Sequence, residues 1–345
     1  MERLVPDVSG FKPALARRVR ATVGCPDADG IPKVGHAGEC RDHEGGRVQV
    51  MHNGLLVEEG GYYGAWMTEI IRSLRGHHEP QEELVFHRIV ERLATGGGRD
   101  PVMLEFGSFW TYYGLWFCQA LPAGRVVAVE PDPAYLEVGR RNAELNGYGD
   151  RVRFVRAAIG DRPGEPMDFE AESDGRTYPV AQHDLASLLS EADLPQADLV
   201  LADVQGAETL LLDRARGDLE AGRVRFLVVS THHHTISGDP LTHQNALRTL
   251  LDTGAHLIAE HTVGESFSGD GLIAVSFDPR DEDLTVAVSH ARHRESLFGE
   301  TEYDLAAALS ARADADRAWK SADGYAKHLE QELARVTAER DHLQR

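Results

Sequence analysis

Three consecutive histidines, His232-His233-His234, close an apolar run, and His243 lies a little further along the chain. Asp203 and Glu208 close a second apolar run, ADLVLADVQGAE. Imidazole and carboxylate brought together can orient and deprotonate a hydroxyl, which is a poor nucleophile at neutral pH. The same groups suit a divalent ion that lowers the hydroxyl pKa, with Asp203, Glu208 and His232 as the metal ligands. In an extended segment His232 and His233 point to opposite faces, so only one of them meets an acceptor. The alternative is that these histidines satisfy the carbonyls of a buried loop.

Two further apolar runs end in residues suited to a nucleoside. PVMLEF runs into Gly107-Ser108-Phe109, and its Glu105 with the small-residue turn lets the backbone approach a ligand and offers amide N–H groups. RVVAVE ends in Glu130-Pro131-Asp132, where an acidic residue can accept hydrogen bonds from ribose hydroxyls. The dinucleotide pattern G-x-G-x-x-G is missing, since Gly114 is the next glycine after Gly107, and this weighs against a nicotinamide cofactor.

Upstream lies a polar cluster, His77-His78-Glu79-Pro80-Gln81-Glu82-Glu83, preceded by Tyr62, Tyr63 and Trp66. His78, Glu79 and Glu82 can reach a ligand from a lid, and the aromatic rings can stack on a base or a sugar. The plainer alternative is a helix with an acidic first turn that suits its dipole. Cys25, His36, Cys40 and His43 are not at the spacing of a zinc knuckle and read as loop residues.

The elements that must carry these groups alternate. Residues 101–279 hold the runs PVMLEF, RVVAVE, RVRFVRAAI, ADLVLADV, RVRFLVVS, AHLIAEHTV and GLIAVSF, with helical segments such as PAYLEVGRRNAELNG between the earlier ones. Such alternation predicts an α/β fold, a parallel sheet covered by helices, with ligands at the carboxyl ends of the strands. GESFSGD is too short for a crossover helix, so the last two runs are predicted to pair antiparallel. Residues 1–60 read as an irregular but ordered extension with one strand-like run, Val48 to Met51, and residues 61–97 as two helices divided at Pro80. The predicted organisation is an N-terminal extension with lid helices over 1–97, a catalytic domain over 98–280, a linker over 281–300 and a long helix over 301–345.

In that last segment Leu305, Ala308, Arg312, Ala315, Trp319, Ala322, Ala326, Leu329, Leu333, Val336, Arg340 and Leu343 step by three and four. This heptad seam predicts either a helix laid back on the domain or a coiled coil, joining copies of the chain as a homo-oligomer or binding another coiled-coil partner. The chain has 345 residues, with 36 basic and 56 acidic side chains and a formal charge of −20. Such a surface repels phosphate backbones and argues against nucleic-acid partners. No apolar run reaches the roughly 18–20 residues of a membrane span, and no signal-type segment opens the chain. Three cysteines make no disulfide framework, which predicts a cytoplasmic location.

The segment AQHDLASLLSEADLPQ followed by LADVQGAE, together with VVAVEPDPAYLEVGRRNAELNG and AAIGD, resembles the FkbM-type family of S-adenosylmethionine-dependent methyltransferases. The likeness spans about residues 80–280. It departs at the first strand, where many members carry D-x-G-A-x-x-G and this chain has Glu105-Phe106-Gly107-Ser108. The resemblance implies a class I methyltransferase fold, Rossmann-like with a terminal antiparallel hairpin. It also implies S-adenosylmethionine as cofactor and O-methylation of a sugar, glycan or natural product, while Mg2+ is suggested only by the grouping of Asp203, Glu208 and His232. It implies that Glu105, Gly107 and Ser108 hold the methionine part, that Glu130 binds the ribose, that Ala158 and Ile159 border the adenine, and that Phe109 and Pro131 also belong to the cofactor site. Asp203 is implied at the point of transfer. A nitrogen or carboxylate acceptor, or a catalytically idle scaffold assembled through the tail, fits the same fold.

Overall fold

The computed structural model describes residues 3–96, 100–291 and 301–343. They fall into two compact units, 1–297 and 298–345. The first unit opens with α1 (Pro13–Gly24) and a small antiparallel sheet of β1 (Cys40–His43), β2 (Gly46–Val50) and β3 (Leu56–Glu58). The turn-rich composition of 1–60 hides this order, because the strands are very short and are separated by positive-φ glycines such as Gly45 and Gly54. The helices α2 (Ala65–Ser73) and α3 (Pro80–Thr95) follow, divided at Pro80 as the sequence predicts.

The second half of this unit alternates as expected: β4 (Val102–Phe106), α4 (Tyr112–Ala120), β5 (Arg125–Val129), α5 (Pro133–Leu145) and β6 (Val152–Val155). Then come β7 (Ala157–Ile159), β8 (Pro166–Glu170), β9 (Thr177–His183), α6 (Leu185–Glu191), β10 (Ala197–Ala202), α7 (Glu208–Glu220) and β11 (Val224–Thr231). The unit closes with α8 (His234–Ser237), α9 (Thr242–Asp252), β12 (His256–His261) and β13 (Gly271–Ser276). Seven strands form one sheet in the order β12-β13-β11-β10-β4-β5-β6, and β13 runs antiparallel to both of its neighbours. This is a Rossmann-like class I methyltransferase sheet with its terminal antiparallel hairpin.

Local chemistry sets the element boundaries. Asp132 caps α5 by accepting from the Ala134 and Tyr135 amides, with Pro133 in the first turn. Asp184 and Ser187 close a reciprocal capping box on α6. Two apolar layers cover the sheet. One joins Val19, Ile70 and Phe86 of the N-terminal segment to Tyr112, Phe117 and Val138. The other joins Leu188, Leu212 and Leu250 of α6, α7 and α9 to the strands. The N-terminal segment and the sheet therefore share one core.

Two sequence expectations are corrected. The run RVRFVRAAI breaks at Arg156, and β7 joins β8 and β9 in a separate three-stranded sheet. The expected linker is, up to Ala291, laid on the body: the Val286 amide donates to the Ile258 carbonyl and the Ala291 amide to that of Glu265. The Ser289 amide donates to Asp27 Oδ2, and Leu284, Val286 and Val288 pack on the core. Residues 292–300 lie outside the described residues.

The second unit carries α10 (Thr301–Leu343), a single helix. Of its seam residues Leu305, Trp319, Leu329, Leu333 and Val336 are exposed, Trp319 at 69% and Leu333 at 68%. Among the described residues no helix is long and apolar enough to cross a membrane.

Candidate active site

A cavity of about 640 Å³ opens at the carboxyl ends of β4, β5 and β10. Its floor begins at Gly107, which has φ 75°. A Cβ there would lie 1.7 Å from the Asp203 carbonyl oxygen, so glycine is what lets the two strand ends touch. The Gly107 and Ser108 amides donate to the Val129 carbonyl at 2.9 and 3.0 Å. They are therefore committed to the fold and are not the free donors that the turn suggests. The groups left for a ligand here are Glu105 Oε2 and Ser108 Oγ, both buried and without a hydrogen-bond partner.

Glu130 is held from both sides: its Oε2 accepts from the Phe109 amide at 3.0 Å and its Oε1 from the Asp132 amide at 2.9 Å. Burial pushes its carboxyl up to about 8 against the pull of those amides. Burial likewise pushes Glu105 up to about 8, offset in part by the Gly114 amide. Phe109 stacks on Tyr135 with ring centroids 3.6 Å apart, and with Ala158, Ile159, Met167 and Phe169 it gives this end apolar walls.

At the other end Asp203 lines the cavity and His232 stands behind it. His232 Nε2 lies 3.2 Å from Asp203 Oδ1 and 3.7 Å from Asp270, while its Nδ1 meets Glu208 Oε1 at 2.5 Å. Glu208 is fully buried and also accepts from the Gly206 amide. Burial disfavours charge on His232, but the three carboxylates outweigh it and hold the imidazolium well above its usual range. From the N-terminal segment come Tyr62, Tyr63, His78 and Glu79. His78 lies between Glu83, 2.5 Å from Nδ1, and Glu79, 3.3 Å from Nε2. Despite burial, these carboxylates push His78 up to about 10.

The cavity gathers Glu105, Gly107, Ser108, Phe109, Glu130, Pro131, Ala158, Ile159 and Asp203, together with Tyr63, His78 and Glu79. Glu208 and His232 form the layer behind Asp203. Four expected residues fall elsewhere. His233 turns outward, where its ring caps α8 at the Thr235 amide. His243 is spent between Thr231 Oγ1 at 2.7 Å and Glu260 at 2.9 Å. Trp66 packs on Tyr63 and lies under the Arg18 guanidinium. Glu82 is buried against the Ser230 hydroxyl, which donates to it. Sequence reasoning missed Trp110 and Tyr113, since the aromatic string FWTYYG reads equally well as helix core, and Tyr135, which lies within the helical segment PAYLEVGRRNAELNG.

The expected metal ligands Asp203, Glu208 and His232 do not converge. Their carboxylates sit on opposite nitrogens of one ring, an arrangement of hydrogen bonds and ion pairs. Among the described residues the grouping with close ligand atoms is His52, His77 and Glu83. There the two imidazoles stack 4.3 Å apart and 15° from parallel, so their in-plane lone pairs run side by side without meeting at a point. Cys25, His36, Cys40 and His43 form no such group among the described residues.

Residues 102–257 match the family described as Methyltransferase FkbM domain. The release factor glutamine methyltransferase of Chlorobaculum tepidum is 34% identical over 98 residues, 26% of this chain and 33% of that protein, so the chain spans about a third of that relative. The 2-O-methyltransferase NoeI of Sinorhizobium fredii is 28% identical over 180 residues, 44% of this chain and 71% of the relative. Among solved structures, the METTL16 MTase domain (crystal form 2) aligns with a TM-score of 0.40 at 15% identity, over 67% of this chain and 86% of that one. Precorrin-6y C5,15-methyltransferase from Geobacter metallireducens aligns at 0.36 and 18% identity, over 56% and 87%. Residues 102–257, the part of the sheet whose strand ends carry Glu105, Glu130 and Asp203, are thus the segment of this chain that matches the FkbM methyltransferase domain.

Proposed function

We propose that the protein is an S-adenosylmethionine-dependent O-methyltransferase acting on a hydroxyl of a sugar, glycan or natural product. The observation that carries this reading is the relay Glu208–His232–Asp203, which ends in the cavity beside the unpartnered Glu105 Oε2 and Ser108 Oγ. Those two atoms, with Glu130 at the second strand end, fit the polar parts of the cofactor, and the Phe109–Tyr135 wall fits its adenine. When bound, S-adenosylmethionine supplies a methyl group activated on a sulfonium.

The chain's own residues do the rest. Asp203 accepts the hydrogen bond of the acceptor hydroxyl and takes its proton as the O–C bond forms and the C–S bond breaks. His232 balances and orients Asp203, and Glu208 fixes the ring through Nδ1. This gives the imidazolium the part that the sequence alone left open to magnesium. The match to a relative named as a 2-O-methyltransferase, over 71% of its length, supports a hydroxyl acceptor. The exposed seam of α10 supports self-association through a coiled coil, and the free thiols of Cys25, Cys40 and Cys118 are consistent with a cytoplasmic location.

The test is calorimetric titration with S-adenosylmethionine and S-adenosylhomocysteine, beside a Glu130→Ala variant. Micromolar binding lost in the variant supports the reading, and absence of binding to the intact protein defeats it.

A further inference from the structure

The cavity is one-sided in charge. Seven carboxylates line it, Glu79, Glu105, Glu130, Asp132, Glu170, Glu172 and Asp203, and no Lys or Arg does so among the described residues. Not all seven are available. Asp132 is spent on the α5 cap and on the Ser173 amide and hydroxyl. Burial favours the neutral form of Glu105 and Glu130. Glu79, Glu170, Glu172 and Asp203 remain, and Asp270 stands just behind the last of them, near the shared His232.

The two imidazolium groups at this end are already matched. His78 lies against Glu83 as well as Glu79, and His232 against Glu208 as well as Asp203. Pairing His78 with Glu83 and His232 with Glu208 leaves Glu79 and Asp203 as surplus negative charge facing the cavity. The sulfonium, ammonium and carboxylate of S-adenosylmethionine add up to a single positive charge, less than this surplus. A phosphate, sulfate or carboxylate on the acceptor would meet no guanidinium or ammonium here, and it would be repelled in a low-dielectric site.

The walls agree with the charge. Tyr62 stacks on Trp110 at 4.4 Å and packs edge-on to Phe109 at 5.0 Å, while Tyr63 lies 4.7 Å from Tyr62. Aromatic faces next to carboxylates are the surroundings that bind an ammonium group, by cation–π attraction together with ion pairing. Both features sit beside Asp203, where the acceptor hydroxyl has to lie.

On the O-methyltransferase reading, we infer that the acceptor is a cation: a polyhydroxylated amine such as an amino sugar or aminocyclitol, its ammonium held by Glu79 and the Tyr62–Tyr63 walls while a hydroxyl meets Asp203. The net charge of −20 adds a long-range attraction for such a substrate.

The 345-residue chain saturated with S-adenosylhomocysteine is titrated with three matched rings: 2-deoxystreptamine, its N,N′-diacetyl derivative and quinic acid. The expected result is that the diamine binds roughly tenfold or more tighter than the acetylated ring, and that the acid does not bind. Glu79→Gln is expected to erase most of that preference and to keep its affinity for S-adenosylhomocysteine, which reports an intact fold. Equal affinity for the amine and its acetyl derivative, tighter binding of the acid, or no binding of the diamine overturns the inference. Failure of S-adenosylhomocysteine itself to bind is a different result, and it strikes the methyltransferase reading.

Discussion

A single added methyl on Gly107 would lie 1.7 Å from the carbonyl oxygen of Asp203. The turn that ends β4 and the turn that ends β10 are thus in backbone contact, fastened by the Asp203 amide donating to the Phe106 carbonyl at 2.9 Å. The β4 side and the β10 side of the cavity share one rigid seam. Gly107→Ala is expected to cost about 1–3 kcal/mol of stability, since the overlap is with backbone and cannot be relieved by a rotamer change. It should also weaken S-adenosylhomocysteine binding, because the displaced turn carries Ser108. A melt and a titration within error of the parent would show that the seam is not needed.

The relay behind Asp203 makes a second expectation specific. His232→Gln should lower kcat by roughly 10²-fold, the loss expected when a catalytic group is mispositioned, and leave cofactor affinity unchanged. In the proposed mechanism Glu208 acts through His232 and touches no substrate, so its test is the pH profile. Removing its charge with Glu208→Gln takes away one of the carboxylates that hold the imidazolium above its usual range. Catalysis that needs charged His232 then fails at a lower pH, and the alkaline limb of kcat moves to lower pH. A limb that stays in place while kcat drops would mean that Glu208 is merely structural.

What the sequence disclosed and what it concealed divide along a physical line. Runs such as PVMLEF and ADLVLADV are buried on both faces, so continuous apolarity marked them as strands, and the acids at their ends followed from the parallel topology. The short GESFSGD connection forced the antiparallel β13. By contrast α4, YYGLWFCQA, is buried almost all round and has no polar face, so it carries no helical period to read. The β8–β9 hairpin lies on the surface, with half-buried and exposed residues alternating weakly. In the site, alternation implied that one of His232 and His233 faces inward. Which of them does so depends on where β11 ends, and β11 ends at Thr231. His243 looked catalytic by type, but its partner Glu260 lies on β12, a contact between distant segments that no local pattern records.

Glu105 gives a pH dependence of stability. In the unfolded chain it titrates near 4.5, and in the folded protein burial raises it to about 8. Below pH 4.5 it is protonated in both states and carries no penalty. As the pH rises through the window from 4.5 to about 8, the unfolded chain releases the proton first and stability is lost. The ligand-free protein should therefore lose stability across this window relative to Glu105→Gln, by on the order of a few kcal/mol at its upper end. Thermal melts of the two proteins at matched pH values check it, and parallel curves would show that Glu105 is ionised in the fold throughout.

The last expectation concerns α10, whose seam residues Leu305, Trp319, Leu329, Leu333 and Val336 are exposed by about half or more. A helix of this length gains little from propensity alone and owes most of its stability to burying an apolar stripe. The seam keeps the heptad step over its whole run, which is what two helices wound on each other require. The 345-residue chain is expected to sediment as a dimer or larger assembly, and Trp319→Glu, which puts a charge at a seam position, to shift it toward monomer. Helical ellipticity should fall in step with dissociation, while cofactor binding stays as it was, because the cavity lies entirely within residues 62–236. A parent chain that is monomeric at micromolar concentration would remove the coiled-coil proposal, and the exposed seam would then need another occupant.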